Sequence, residues 1–317
     1  RGVDWQTQYE TYRPQVTATT TQEELFEIFK AMVEPLKDGH VGLLRGENDY
    51  YHQIDTPLFY RLQQEFSEQS EYGRFDAFLA KQLEAAWQVT ASYLQAEPKI
   101  DANNKLRWGS LNEDTGYLFI EALAEFSGAQ TMKTQIADLD TALDKVFLDF
   151  KDKQQLVIDL RANTGGWDSA AVALASRLVA ESRLGFTKQA RADNGFTPIQ
   201  EFQLEPVSDA QGRFLGPIVI LTSGITASAA ENLLLNLLER EQVTLVGQST
   251  SGIFSDALGR HLPNGWQFGL SNEIFRGVDG KSYEAVGFQP SVELDFLSLE
   301  DRQAGKDSMM EYLLQLE

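Results

Sequence analysis

The chain reads as an α/β protein built on a largely parallel sheet. Three strand-then-helix units predict this. An apolar run at residues 117–123 precedes an amphipathic helix at 136–150, and a second run at 156–160 precedes an alanine-rich helix at 168–180. A third run, at 217–222, leads into a helix that opens at Ser228. Short, continuously apolar strands separated by helical crossovers are the pattern of a parallel sheet buried on both faces. A further strand at 243–246 extends the series, and β-rich stretches at 266–275 and 285–294 follow.

The elements ahead of this core are helical. Thr21 and Glu24 have the spacing of a capping box, and Leu25, Ile28, Phe29, Met32, Val33 and Leu36 then fall on one face. Gly39 reads as the stop of that helix, and His40 as the first residue of a short strand to Leu44. Residues 48–104 again carry helical periodicity. Thr56-Pro57 opens one helix bearing Phe59, Leu62 and Phe66, and a second bears Phe75, Phe78, Leu79, Leu83, Ala86 and Trp87. This aromatic stripe reads as core packing, and the polar run 95–105 as a linker. The expected division is an N-terminal helical region with the His40 strand (1–47), a helical insert (48–105) and a core (106–317).

Composition narrows the function. With 317 residues and 42% apolar content, the chain can bury a full core. A formal charge of −20 argues against nucleic acid and anionic membrane surfaces as partners. No cysteine is present, so disulfides, thiolate nucleophiles and Cys-based metal sites are excluded. No apolar run reaches membrane-spanning length, and no signal sequence is seen. The chain opens on Arg1-Gly2-Val3-Asp4-Trp5 without an initiator methionine and reads as an excised portion of a longer precursor.

Three segments carry candidate chemistry. In GPIVILTSGITASAAE, from Gly216, a strand and polar turn present Ser228 at a helix N-terminus, where unpaired N–H groups and the helix dipole favour an oxyanion. The same pattern also describes an ordinary N-cap. After the 156–160 strand, Arg161-Ala162-Asn163-Thr164-Gly165-Gly166 places adjacent glycines where backbone N–H groups can enter a site. His40, one of only three histidines with His52 and His261, is the candidate base.

Together these segments resemble the S41 peptidases, the family of C-terminal processing proteases, tricorn core proteases and interphotoreceptor retinoid-binding protein repeats. The match rests on LKDGHVGL around His40, DTGYLFIEAL from Asp114, LVIDLRANTGG from Leu156 and TASAAENLLLNLL from Thr226. VGQSTSG from Val246 and YEAVGFQPSVEL from Tyr283 follow in the same order. The resemblance implies a ClpP/crotonase-like ββα spiral core, here with an N-terminal helical region and a helical insert where processing proteases commonly place a PDZ domain. In the family's Ser-Lys branch a lysine follows the glycine of a G-x-x-T-x-G motif. Ile253 stands there, and no lysine occurs between Lys188 and Lys281. The resemblance therefore points to the tricorn-like Ser-His branch, with His40 as base and Glu284, from the E-x-x-G-x-x-P stretch, as its carboxylate partner. Gly39 replaces the serine that precedes the histidine in tricorn protease.

The reading is a serine endopeptidase acting on peptide or protein substrates. Ser228 is the nucleophile, His40 the base and Glu284 the orienting carboxylate, while Ala229, Gly165 and Gly166 supply the oxyanion hole. No metal or organic cofactor is implied, and the resemblance suggests a periplasmic, cell-envelope or secreted protein. Asp159 and Arg161 read as a structural ion pair at a strand end. Glu231 reads equally as a site neighbour or a solvent-facing helix residue, His261 as a loop residue and runner-up base, and His52 as unsupported by any motif. A non-catalytic apolar-ligand-binding module and a crotonase-like acyl-transfer enzyme are the rival readings.

Overall fold

A computed structural model of the chain describes residues 2–46, 49–52, 56–69, 72–209 and 212–315. The chain forms two compact units. The larger comprises Thr56–Gln189, Pro198–Phe254 and Phe275–Glu317, and the smaller Arg1–Asp55, Ala190–Thr197 and Ser255–Ile274.

In the larger unit Thr56 caps helix α1 (Pro57–Ser67) by accepting the Phe59 N–H, with Pro57 at the first helical position where its missing N–H costs nothing. Helix α2 (Phe75–Ala91) follows, as the aromatic spacing predicts. The run expected to be a linker instead contains strand β1 (Lys99–Asp101) and a turn in which Ala102, Asn103 and Asn104 all take positive φ. That turn folds β1 back against β2 (Leu106–Ser110), and β2 pairs antiparallel with β3 (Thr115–Ile120). Asparagine tolerates the left-handed region well, and a polar Asn-Asn pair serves a tight turn as readily as a linker.

The parallel part begins after helix α3 (Met132–Asp149) with β4 (Gln155–Asp159) and helix α4 (Asp168–Ala175). It continues with β5 (Ile218–Thr222), helix α5 (Ala229–Leu237) and β6 (Val243–Gly247), and ends at the short β7 (Val292–Glu293). The spatial order is β7-β6-β5-β4-β3-β2-β1, and β3 to β7 run parallel. Leu156 and Ile158 pair with Ile218 and Ile220 across the sheet centre and join one core with Leu143, Phe147 and Leu233. Two boundaries differ from expectation. Helix α4 stops at Ala175 rather than 180, because the Ser176 and Arg177 carbonyls accept the Val207 and Phe214 N–H groups. The 285–294 stretch is extended only at β7, because Ala285 and Gly287 take positive φ.

Beyond β4, Arg161 is buried and held between two carboxylates. Its Nη2 lies 2.6 Å from Asp159 Oδ2 and its Nη1 2.9 Å from Asp307 Oδ2. Tyr117 donates to Asp159 and Thr90 to Asp307, so α2, β3, β4 and the segment before helix α6 (Ser308–Leu313) meet at one guanidinium. The expected structural role of Asp159 and Arg161 is what this geometry shows.

In the smaller unit the Thr21–Glu24 capping box is present in both directions, opening the helix Gln22–Val33. Phe26 and Phe29 meet Trp266 edge-on at ring-centroid distances of 5.5 and 6.0 Å. The strands Ala257–His261, Gln267–Ser271, Gly42–Arg45 and Asp49–His52 lie side by side, antiparallel throughout. The left-handed residue after the helical segment is Lys37, at φ +45°, and not Gly39. His40 precedes the strand and lies in a turn closed by Asp38, whose carboxylate accepts the His40 N–H at 2.9 Å. His261 ends an exposed strand and is not in a loop, and His52 ends the strand Asp49–His52.

Removing one partner from a buried ion cluster leaves the others uncompensated. Arg161→Ala is therefore expected to lower the unfolding free energy by about 3–5 kcal/mol, measured by urea denaturation. A change below ~1 kcal/mol would show that the cluster is no stability centre.

Candidate active site

From Ile218 to Leu237 every residue is buried except Ser228. Its backbone, at φ +55° and ψ −125°, is one that residues with a side chain rarely adopt. Such strain costs on the order of 1–3 kcal/mol and persists only where the surroundings impose it. Here the preceding turn is locked from beneath. Ser223 Oγ donates to the Arg161 carbonyl (2.6 Å), Thr226 Oγ1 to the Leu160 carbonyl (2.8 Å) and the Ala227 N–H to the Asn163 carbonyl (3.2 Å). The Thr/Ser content that reads as a polar turn in sequence is thus consumed internally, and Ser228 alone is thrust outward. A sharp strand-to-helix turn of this kind presents a serine hydroxyl at the start of a helix.

The glycine pair lies against that turn. A Cβ on Gly165 would stand 2.6 Å from Ser228 Cβ and 2.9 Å from the Ala229 nitrogen, so only glycine fits there. Gly165 N–H donates to Asn163 Oδ1 at 2.8 Å, and Gly165 C=O accepts the Leu123 N–H at the same distance. Trp167 N–H bonds the Leu123 carbonyl, which completes a parallel bridge between Leu123 and Gly166. In that bridge the N–H of Gly166 itself points away from Leu123. Gly165 therefore shapes the turn with its N–H already committed. Asn163, which no sequence argument singled out, holds both the glycine turn and, through its Nδ2, the Ile120 carbonyl.

Glu231, one helical turn beyond Ser228, is fully buried. Its carboxylate accepts the Thr250 hydroxyl (2.5 Å), the Gly252 N–H (2.8 Å), the Ile253 N–H (2.8 Å) and, more weakly, the Ser228 N–H (3.3 Å). The Ser228 N–H also reaches the Ile253 carbonyl at 2.9 Å. Burial pushes the Glu231 carboxyl up to about 7 against the pull of these donors, and the nearby Glu284 charge adds to the rise. The solvent-facing alternative for Glu231 does not hold. Every residue of its helix is buried, Asn232 and Asn236 included.

Glu284 lies in a turn rather than at a strand edge, and its Oε2 accepts the Phe254 N–H at 3.0 Å. Ile253, bonded to Ser228, and Phe254, bonded to Glu284, are consecutive, so two backbone bonds tie these residues together. Ser228, Ala229, Gly165, Gly166 and Glu284 all belong to the larger unit and His40 to the smaller. Among the described residues no group of three or more His, Cys, Asp or Glu has the geometry of a metal site.

The sequence profile of peptidase family S41 matches residues 114–294, more than half of the chain. The chain belongs to peptidase family S41. That match contains Gly165, Gly166, Ser228, Ala229, Glu231 and Glu284. The profile of the tricorn protease C1 domain matches residues 1–34, so His40 lies between the two matched stretches. The carboxy-terminal processing protease CtpA of Bacillus subtilis is 24% identical over 163 residues, 51% of this chain and 33% of that protein. This S41 chain thus aligns with about a third of that relative's length. A candidate peptidase from Parabacteroides merdae, known by its crystal structure, superposes with a TM-score of 0.76 at 25% identity. The superposition covers 100% of this chain and 89% of that one. A lipoprotein from Streptococcus agalactiae shares the fold, with a TM-score of 0.54, 18% identity and coverage of 98% and 90%. The expected ClpP/crotonase-like class of the S41 core is borne out.

The Glu231 carboxyl sits at about 7 in the folded chain against an ordinary 4.5, so its stabilising contribution is full below pH 4.5 and is lost as pH rises through about 7. Urea unfolding of the wild type is expected to show a fall in stability across this window that Glu231→Gln lacks. Glu231→Gln is also expected to be less stable by about 1–3 kcal/mol below the window, because its amide nitrogen faces N–H donors. Parallel profiles would assign the pH dependence to another group.

Proposed function

We propose that the chain is a serine peptidase in which Ser228 attacks the carbonyl of a peptide bond. The observation that carries this reading is that Ser228, alone among residues 218–237, is partly exposed, in a strained backbone, at a helix start pressed against a glycine turn. A serine held in this way needs a base. In this reading the His40 imidazole, from the smaller unit, takes the Oγ proton as the Oγ–C bond forms and returns it to the leaving nitrogen as the C–N bond breaks. Glu284 holds the imidazole tautomer and favours the imidazolium. The oxyanion accepts from the Ala229 N–H at the helix start and from the Gly166 N–H. Gly165, whose own N–H serves Asn163, provides the close approach. Each oxyanion donor contributes roughly 2.7–4 kcal/mol of transition-state stabilisation.

Peptides or proteins are the substrates in this reading, and the placement is the periplasm, the cell envelope or the medium. Among the described residues no helix is long and apolar enough to cross a membrane. The division into residues 1–47, 48–105 and 106–317 remains part of the proposal as the order in which base, insert and nucleophile are encoded.

Two experiments test the reading. Ser228→Ala is expected to abolish both peptide hydrolysis and fluorophosphonate labelling with the melting temperature within a few degrees of wild type. His40→Ala should do the same, and replacement of any lysine should not. Undiminished turnover in Ser228→Ala would end the serine mechanism, and absence of hydrolysis and labelling in the wild type would leave the binding-module or acyl-transfer readings. The second concerns Glu284. A neighbouring carboxylate favours the imidazolium, so Glu284→Gln should move the acid limb of the activity profile to lower pH and reduce maximal turnover. An unmoved profile would transfer the orienting role to another residue.

A further inference from the structure

A cavity of about 430 Å³ opens in the larger unit between α2 and the residues that follow β3 and β4. Its size falls in the range of pockets that take small ligands, roughly 300–1,000 Å³. Its position, beyond the carboxyl ends of parallel strands, is where α/β sheets place their ligands. Two lining residues join it to the candidate site through the backbone. Ala122 precedes Leu123, whose N–H holds the Gly165 carbonyl, and Thr164 precedes Gly165 itself. Gly165 in turn lies against Ser228.

The chemistry of the walls selects the occupant. Leu83, Ala86, Trp87, Phe119, Ala162 and Phe296 give an apolar lining, with Trp87 and Phe119 in contact at 4.9 Å between ring centroids. The ionisable lining residues already have polar partners. Lys105 and Arg107 share Glu121 at 3.0 and 2.9 Å, Arg161 is held by Asp159 and Asp307, and Glu84 accepts from Gln88. Three cationic side chains (Lys105, Arg107, Arg161) thus face three anionic ones (Glu84, Glu121, Asp159). An anionic ligand would have to compete with Glu121 or Asp159 for these cations, a cationic one would meet only the exposed Glu84 outside an ion pair, and an apolar one would only displace water. The small residues Ala80, Ala86, Ala122 and Ala162 keep the space open.

We infer that this cavity is the subsite for a large apolar side chain of the substrate peptide, with α2 of the helical insert as its outer wall. The inference rests on the peptidase reading for the word substrate, and its test does not depend on turnover. An alanine-based host peptide carrying a single Phe, Leu, Asp or Lys, scanned along its length, is titrated calorimetrically into the Ser228→Ala protein. Phe and Leu are expected to bind at least ~10-fold more tightly than Asp or Lys at one position, the discrimination an apolar pocket supplies. Ala86→Trp fills the cavity from the helix, and Ala80→Phe does so from an exposed position where the fold is not at stake. In the Ser228→Ala background either change should remove the preference while the melting temperature holds. Equal affinities for all four peptides, or a preference that survives in a folded Ala80→Phe variant, would overturn the subsite. Failure of fluorophosphonate to label the wild-type protein would instead overturn the peptidase reading, whatever the titrations give.

Discussion

The candidate site depends on the Glu231 carboxylate. Four donors from two separate stretches converge on it, and those of Thr250, Gly252 and Ile253 would otherwise be buried polar groups without a partner. Thr250 makes the arrangement directional. Its oxygen accepts the Phe288 N–H at 2.8 Å, which leaves the hydroxyl proton for Glu231. The acid therefore positions the start of the Ser228 helix, the 250–253 loop and, through Thr250, the segment after Glu284. Close packing continues the same constraint. Gly252 and Gly287 both have positive φ, and a Cβ on either would collide with the other loop's backbone. Backbone thus lies on backbone around one buried charge, and such an assembly has no soft side chain through which to relax.

That rigidity explains how an unfavourable conformation at Ser228 is maintained. Hydroxyls of Ser223 and Thr226 and the backbone carbonyl of Asn163 fix the turn on one side, and the Glu231 loop fixes it on the other. The parallel sheet supplies the frame, because β4 and β5 run in register and deliver their C-terminal loops to the same edge. Strain at one residue is small against the burial of two central strands and a helix that is buried on all sides.

The parts of the fold that were legible in sequence are those encoded by neighbours. The Thr21–Glu24 box, the Thr56-Pro57 helix start and the apolar runs of the central strands each act over four or five residues, and each formed where it was read. Ser228 and the glycine pair were legible as candidates for the same reason. The rest depends on partners far along the chain. Nothing near Glu231 announces donors 19 to 22 residues away, although its place between Ala229-Ala230 and the Leu233–Leu235 run was a usable sign of burial. Thr250 acts wholly through such distant bonds, and Asn163 does so in part, through the Ile120 carbonyl. Gly39 misled for a subtler reason. A glycine is the cheapest left-handed residue, but the 3₁₀ turn at Glu34–Leu36 brings the reversal forward to Lys37, and Asp38 then closes the turn at His40.

The Arg161 cluster also has a history in time. Asp307 lies 146 residues after the guanidinium it neutralises. A chain emerging from the ribosome therefore carries Arg161, Asp159 and the whole Ser228 turn long before the second carboxylate exists. Until it arrives, the loop that leads from Arg161 to Gly165 rests on a guanidinium whose Nη1 lacks its carboxylate acceptor, and contacts this distant in sequence form late. The order of synthesis thus delays a finished Ser228 turn until nearly all of this chain has been made.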